Sequence, residues 1–196
     1  MSARVSQGKR ADAVANHARI LDAAGLVLAE RGLDMEMDEV AERAGVGVGT
    51  LYRHFANRDA LVRAIITQSF EDLLTRLRGA AHLEDPAMAL REISFAIPMV
   101  QPLFQVFRDP RCVKLMQDVK HDLHQPVSAE IIDLISGIVE RGMRSGAFRP
   151  DLDPAATANA ILGSIGAVCE NLGATRPLAE LAAMLADLHH GMVAAR

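Results

Sequence analysis

Glu39-Val-Ala-Glu-Arg-Ala-Gly-Val-Gly-Val-Gly-Thr-Leu-Tyr-Arg-His-Phe55 is the stretch that decides how this chain reads. Val40, Ala41 and Ala44 follow helical spacing, and Gly45 stops them. A tight turn follows, and a second short helix is predicted from about Gly49 to Phe55. Two short helices joined by a glycine-bearing turn have the arithmetic of a helix-turn-helix. Gly45 supplies the positive φ that the turn requires. Ala41 and Leu51 are spaced to let the two helices pack closely, with Val46 and Leu51 facing inward. Thr50, Tyr52, Arg53 and His54 are left facing outward. In that position the first residues of the second helix reach base edges in a major groove, and the helix dipole favours a nearby phosphate.

The surroundings are helical too, and the chain reads as all-α. No period-2 alternation is sustained, and β-branched or aromatic runs are few. Ile20, Ala23, Ala24, Val27 and Leu28 mark a first helix that Gly32 ends. Asn57 caps a fourth, with Asp59 in its first turn and Leu61, Ile65, Leu73 and Leu77 on one stripe, closed by Gly79. Beyond it, Asp85-Pro86, Asp109-Pro110 and Asp153-Pro154 each place a capping carboxylate before a proline, which opens a helix because its missing N–H is not needed in the first turn. Pro126 and Pro177 are expected in first turns, while Pro98 and Pro102 break the helix around them. About nine helices are predicted. Three segments follow: a disordered basic arm over 1–10, a three-helix head over 11–56, and a helical bundle over 57–196 that opens with a linking helix over 57–79.

The chain has 196 residues and a formal net charge of −4, which argues against a globally basic nucleic-acid binder. The charge is uneven. Residues 1–10 carry three positive charges and no negative one, 34–42 carry five negative, and 43–63 carry four positive against one negative. The excess of acid lies in 64–196. Positive charge is therefore concentrated in the arm and around the second helix of the motif. Cys112 and Cys169 lie far apart with no CxxC spacing, which supports neither a zinc ribbon nor a disulfide scaffold and fits a cytoplasmic setting. No apolar run is long enough to span a membrane, and Met1 to Arg10 lacks the apolar region of a signal peptide.

From Arg19 to Leu61 the chain resembles the DNA-binding domain of the tetracycline-repressor (TetR) family of bacterial regulators. The matching residues are Ile20-Leu21, Ala23-Ala24, Glu30-Arg31-Gly32, Val40-Ala41, Ala44-Gly45-Val46, Gly49-Thr50-Leu51-Tyr52, His54-Phe55 and Arg58-x-x-Leu61. The remainder is similar in architecture, and the junction Gly146 to Pro154 leading into an Ala/Gly-rich helix is common in the family's C-terminal domains. The resemblance implies a dimeric, ligand-responsive repressor that binds palindromic double-stranded operator DNA and is not an enzyme. It implies phosphate contacts from Tyr52, His54 and Arg58, base-edge contacts from Val48, Gly49 and Thr50 with Arg53 at the edge, and an arm in which Arg4, Lys9 and Arg10 reach adjacent DNA. Two positions depart from the family pattern. Gly47 stands where Ser or Thr usually caps the recognition helix. Met35-Glu36-Met37 stands where a Thr or Ser usually opens the second helix, and Glu36 and Asp38 are expected to splay away from DNA.

In the C-terminal part, no catalytic set and no cofactor motif emerges. Phe95, Met99, Phe104, Phe107, Met116 and Val119, with Gly166, Cys169 and Glu170, are candidates to line a cavity for a small apolar effector; the competing reading is ordinary core. His121 and His124 beside Asp118 and Asp122 could hold a metal, but a solvated polar face is the expectation. His189 and His190 read as surface. Ala158, Ile161, Leu162 and Ile165 on one helix and Leu181, Leu185 and Leu188 on another are candidates for a homodimer face, the alternative being intramolecular core. Two rival readings remain: a regulator whose C-terminal domain binds a protein, and an all-helical carrier or enzyme, which would need a converged acid/base or metal set.

Overall fold

The computed structural model describes the backbone of residues 2–100, 125–172 and 175–195, and side chains from residue 15 to 98 and over the same two later stretches. Eight α-helices occur among the described residues: α1 (Ser2–Arg31), α2 (Met37–Ala44), α3 (Val48–His54), α4 (Arg58–Ala81), α5 (Pro86–Ala96), α6 (Gln125–Ser145), α7 (Pro154–Leu172) and α8 (Leu178–Val193). Short 3-10 turns follow α1 (Gly32–Asp34) and α5 (Ile97–Val100). The only β feature among the described residues is an isolated bridge between Phe148 and Ala194. The chain divides into two compact units within α4, between Gln68 and Ser69, rather than before that helix.

In the first unit α1 packs on α2 and α2 on α3. Ile20, Ala24 and Val27 of α1 meet a core completed by Val40, Ala41, Leu51, Phe55, Leu61 and Ile66, all buried. The helix stops are those the residues predict. Gly32 leaves α1 with φ +59 and Gly45 leaves α2 with φ +63. Asn57 Oδ1 accepts from the Ala60 N–H at 2.8 Å at the start of α4. One boundary differs. Helix α1 continues back to Ser2, through the stretch expected to be a disordered arm. Ala11, Ala13 and Ala15 favour helix, and Gly8 alone costs only about 1 kcal/mol in a helix interior.

In the second unit α5 packs on α8, α6 on α7, and α5 on α6. Asp85 caps α5 by accepting from the Ala87 N–H, with Pro86 at its first position. Asp153 caps α7 through the Ala156 N–H at 2.8 Å. Helix α4 runs two residues past Gly79, and the Arg141 guanidinium donates to the carbonyls of Ala81 and Leu83 beyond it. Pro177 stands just before α8 rather than within its first turn. Gly142 is required by packing, since the Phe148 ring lies against it.

His189 is not a surface residue. It is fully buried, with Nδ1 2.7 Å from Ser94 Oγ of α5 and Nε2 2.8 Å from Ser164 Oγ of α7. Ser164 Oγ lies 2.7 Å from the Ile161 carbonyl, to which only its hydroxyl can donate. That leaves Ser164 to accept from Nε2–H, and Nδ1 to accept from the Ser94 hydroxyl. Three helices are thus tied by one directed chain. Burial pushes the imidazole pKa down to about 4, so the ring is neutral at neutral pH. The earlier members of the α8 stripe, Leu181 and Leu185, are also buried, and position 189 continues it four residues on.

Candidate nucleic-acid interface

Helix α2 is eight residues long and buries Val40, Ala41 and Ala44. Its end is closed by the Gly45 N–H donating to Glu42 O and the Val46 N–H donating to Ala41 O, both at 3.0 Å. The left-handed Gly45 turns the chain, and Gly47 (φ −68, ψ 145) starts α3 without a side-chain cap. The Thr50 and Leu51 N–H groups instead donate to the Gly47 carbonyl at 2.8 and 3.1 Å. Leu51 is wholly buried and anchors α3, while Val46 is half-buried.

That anchoring decides what α3 presents outward. Val48 and Tyr52 are exposed, the latter at 49% of its surface, an unusual position for a large ring and the chain's only tyrosine. Gly49 and Arg53 are exposed, and Thr50 and His54 half-buried. Arg53 Nη2 donates to Thr50 Oγ1 at 3.1 Å, so the two form one polar edge one turn apart. His17 of α1 stacks on Phe55 with centroids 5.0 Å apart and stands 5.7 Å from the His54 ring. Arg58 is half-buried, and its Nη1 donates to the Leu33 carbonyl at 2.6 Å. Lys9 and Arg10 fall on the first turns of α1, in the part whose side chains lie outside the described residues.

Two acidic side chains of the head are paired with arginines. Glu30 accepts from Arg43 Nη1 at 2.8 Å, and that hydrogen bond holds its carboxyl below the usual carboxylate range. Glu39 pairs with Arg31 at 3.6 Å. Glu36 sits at the N-cap of α2 without making a side-chain cap bond.

Sequence reasoning missed Arg19. From α1 its Nε and Nη2 donate to the Ala44 carbonyl at 3.2 and 3.0 Å, and Nη2 donates to the Gly45 carbonyl at 3.0 Å. The available signal was indirect. Helix α2 is followed by Gly45-Val46-Gly47, which offers no polar side chain to its last carbonyls and leaves them open to a donor from elsewhere.

In the second unit a cleft of about 340 Å³ is lined by Ile97, Ser128, Asn159, Leu162, Gly163, Ile165 and Gly166. Of the residues expected to line an effector cavity, Gly166 lines this cleft. Phe95 is exposed on α5, Cys169 is buried with its thiol pKa raised by desolvation, and Glu170 is exposed. The Met99 side chain and the whole of Phe104, Phe107, Met116 and Val119 lie outside the described residues, as do Asp118, His121, Asp122 and His124. The residues expected on a dimer face divide. Ala158, Ile161, Ile165, Leu181 and Leu185 are buried within the chain's own core, while Leu162 is half-buried and Leu188 exposed. Both faces of α7 are apolar or small, so its own core face and its outer face share one spacing. Among the described residues no three His, Cys, Asp or Glu side chains converge as a metal site, and no helix is long and apolar enough to cross a membrane.

The geometry of α2 and α3 agrees with the comparisons to known proteins. The sequence profile described as "Bacterial regulatory proteins, tetR family" matches residues 20–65. The HTH-type transcriptional repressor KstR2 of Rhodococcus jostii is 29% identical over 140 residues, 68% of this chain and 68% of its own length. The HTH-type transcriptional regulatory protein RaaS of Mycobacterium tuberculosis is 28% identical, over 90% of this chain and 81% of its own. Among solved structures, a TetR transcription regulatory protein from Mycobacterium vanbaalenii superposes with a TM-score of 0.66 at 25% identity, covering 95% of this chain and 99% of that one. With a helix-turn-helix over α2 and α3 and similarity to transcriptional regulators, residues 20–65 carry the domain that marks the tetR family of bacterial regulatory proteins.

Proposed function

We propose that the protein is a dimeric repressor that binds palindromic operator DNA and is released from it by a small apolar effector. The carrying observation is the exposed face of α3, on which Val48, Thr50, Tyr52 and Arg53 stand outward from a helix pinned by Leu51. Val48, Gly49, Thr50 and Arg53 would read base edges. Tyr52, His54 and Arg58 would hold phosphates, and Lys9 and Arg10 would reach the flanking backbone from the start of α1. The repressor activity named for the Rhodococcus jostii relative supports the direction of control.

Dimerisation follows from the same reasoning, because one short recognition helix binds weakly and two heads in register read a palindrome. The surface proposed for it is the outer face of α7, where Ala156, Ala160, Gly163 and Ala167 form an exposed small-residue stripe, joined by Met184 and Leu188 of α8. The cleft beside Ile97 and Gly166 is the proposed effector site. An effector there that favours a head spacing unsuited to the operator would couple negatively to DNA. Sedimentation with a palindromic duplex from beside its own gene tests the assembly. The expected stoichiometry is two protomers per palindrome, and one per palindrome would overturn the dimeric reading.

A further inference from the structure

We propose that Arg19 is a positioning residue for DNA reading: it clamps the turn of the helix-turn-helix and so sets the angle at which α3 is presented. The inference rests on DNA reading by α3.

The hydrogen-bond inventory of the turn leaves a gap that only Arg19 fills among the described residues. The Gly45 and Val46 N–H groups close on Glu42 and Ala41, and the Thr50 and Leu51 N–H groups close on Gly47. The carbonyls of Ala44 and Gly45, at the negative end of the α2 dipole, receive the Arg19 guanidinium instead. The linker between α2 and α3 is Gly45-Val46-Gly47, two of its three residues lacking a side chain, and Gly47 provides no hydroxyl cap for α3. Glycines leave the linker free to sample other angles. A planar, charge-assisted fork bonded to two successive carbonyls removes that freedom. Its base is rigid, because the adjacent Ile20 is wholly buried in the same core as Leu51.

The clamp makes predictions that a phosphate contact does not. Arg19→Met is expected to weaken binding to a duplex recovered by the wild-type protein from a random-sequence library by about tenfold, as loss of charge-assisted hydrogen bonds implies. Binding to a scrambled duplex, and the dependence of affinity on salt, stay within about twofold. Arg19→Lys, which keeps the charge but not the fork, restores less than half of the lost selectivity. Adding Gly47→Ser to Arg19→Met restores part of it, since position 47 has backbone angles that serine adopts and open space for a Cβ. Amide hydrogen exchange at Thr50 and Leu51 accelerates in Arg19→Met while that of the α4 amides does not. Equal loss on both duplexes with a salt slope reduced by about one would make Arg19 a phosphate contact and overturn the proposal. Unchanged exchange at Thr50 and Leu51 would overturn it irrespective of any DNA result. Failure of the wild-type protein to recover any sequence would count against DNA reading itself, with the exchange measurement still deciding the clamp.

Discussion

The Arg58 guanidinium donates to the carbonyl of Leu33 at 2.6 Å, tying the first residue of α4 to the turn between α1 and α2. Arg58 is the position that the family resemblance assigns to a phosphate. A guanidinium carries five donors on a rigid fork, so one edge can hold the carbonyl while another faces DNA. The bond makes Arg58 a strut of the head as well as a candidate contact.

Arg58→Ala is therefore expected to lower both stability and DNA affinity. The lost hydrogen bond is worth about 1–3 kcal/mol of unfolding free energy, as its acceptor is a half-buried carbonyl left without this donor. If the phosphate contact is made as proposed, the slope of log affinity against log salt falls by about 0.9 for each phosphate released. Denaturant titration and anisotropy at several salt concentrations separate the two. A stability loss with an unchanged slope would leave Arg58 a strut alone.

Gly142→Ala is expected to be among the most damaging single substitutions. A Cβ there would lie 2.0 Å from Cδ2 of the Phe148 ring, which is buried and cannot swing into solvent. Overpacking of this kind costs about 1–3 kcal/mol, and Phe148→Leu in the same chain should recover part of it by opening the space. Thermal unfolding of the two single variants and the double variant measures the recovery. Additive losses would contradict the contact.

Stability is expected to depend on His189 in acid. Its pKa is about 4 in the folded chain against 6.5 ordinarily, so the unfolded chain binds the proton more readily between those values. The stabilisation from keeping the ring neutral is complete above about pH 6.5 and declines as pH falls toward 4. His189→Gln keeps a donor and an acceptor between Ser94 and Ser164, and should remove this part of the acid sensitivity. Urea unfolding from pH 7.5 to 4.5 reads it, and an unaltered pH profile in the variant would exclude His189 as the source.

What could be read from the residues was what local chemistry fixes. The Asp85 and Asp153 caps, the Asn57 cap and the left-handed Gly45 each act within three or four residues, and each stands in the structure as its spacing predicts. The outward face of α3 was equally legible, since Leu51 had to point inward. Long-range partners were not. Arg19 and Arg58 reach carbonyls 25 residues or more away along the chain, and nothing adjacent to either announces it. On α7 the spacing that marks Ile161 and Ile165 as apolar also marks Ala160 and Gly163, so periodicity could not separate the chain's own core from a surface left for a partner. His189 could have been found, for it falls four residues beyond Leu185 on the buried stripe of α8.

Fluorescence anisotropy of the purified protein on labelled duplexes from beside its own gene, at 50 and 200 mM salt, addresses DNA reading by α3 most directly. Saturable binding to one duplex is expected, at least about a thousandfold tighter than to a scrambled one and steeply weakened by salt. Tyr52→Phe should weaken both, and Thr50→Ala should change base preference. Equal affinity for specific and scrambled duplexes would contradict a sequence-reading helix-turn-helix.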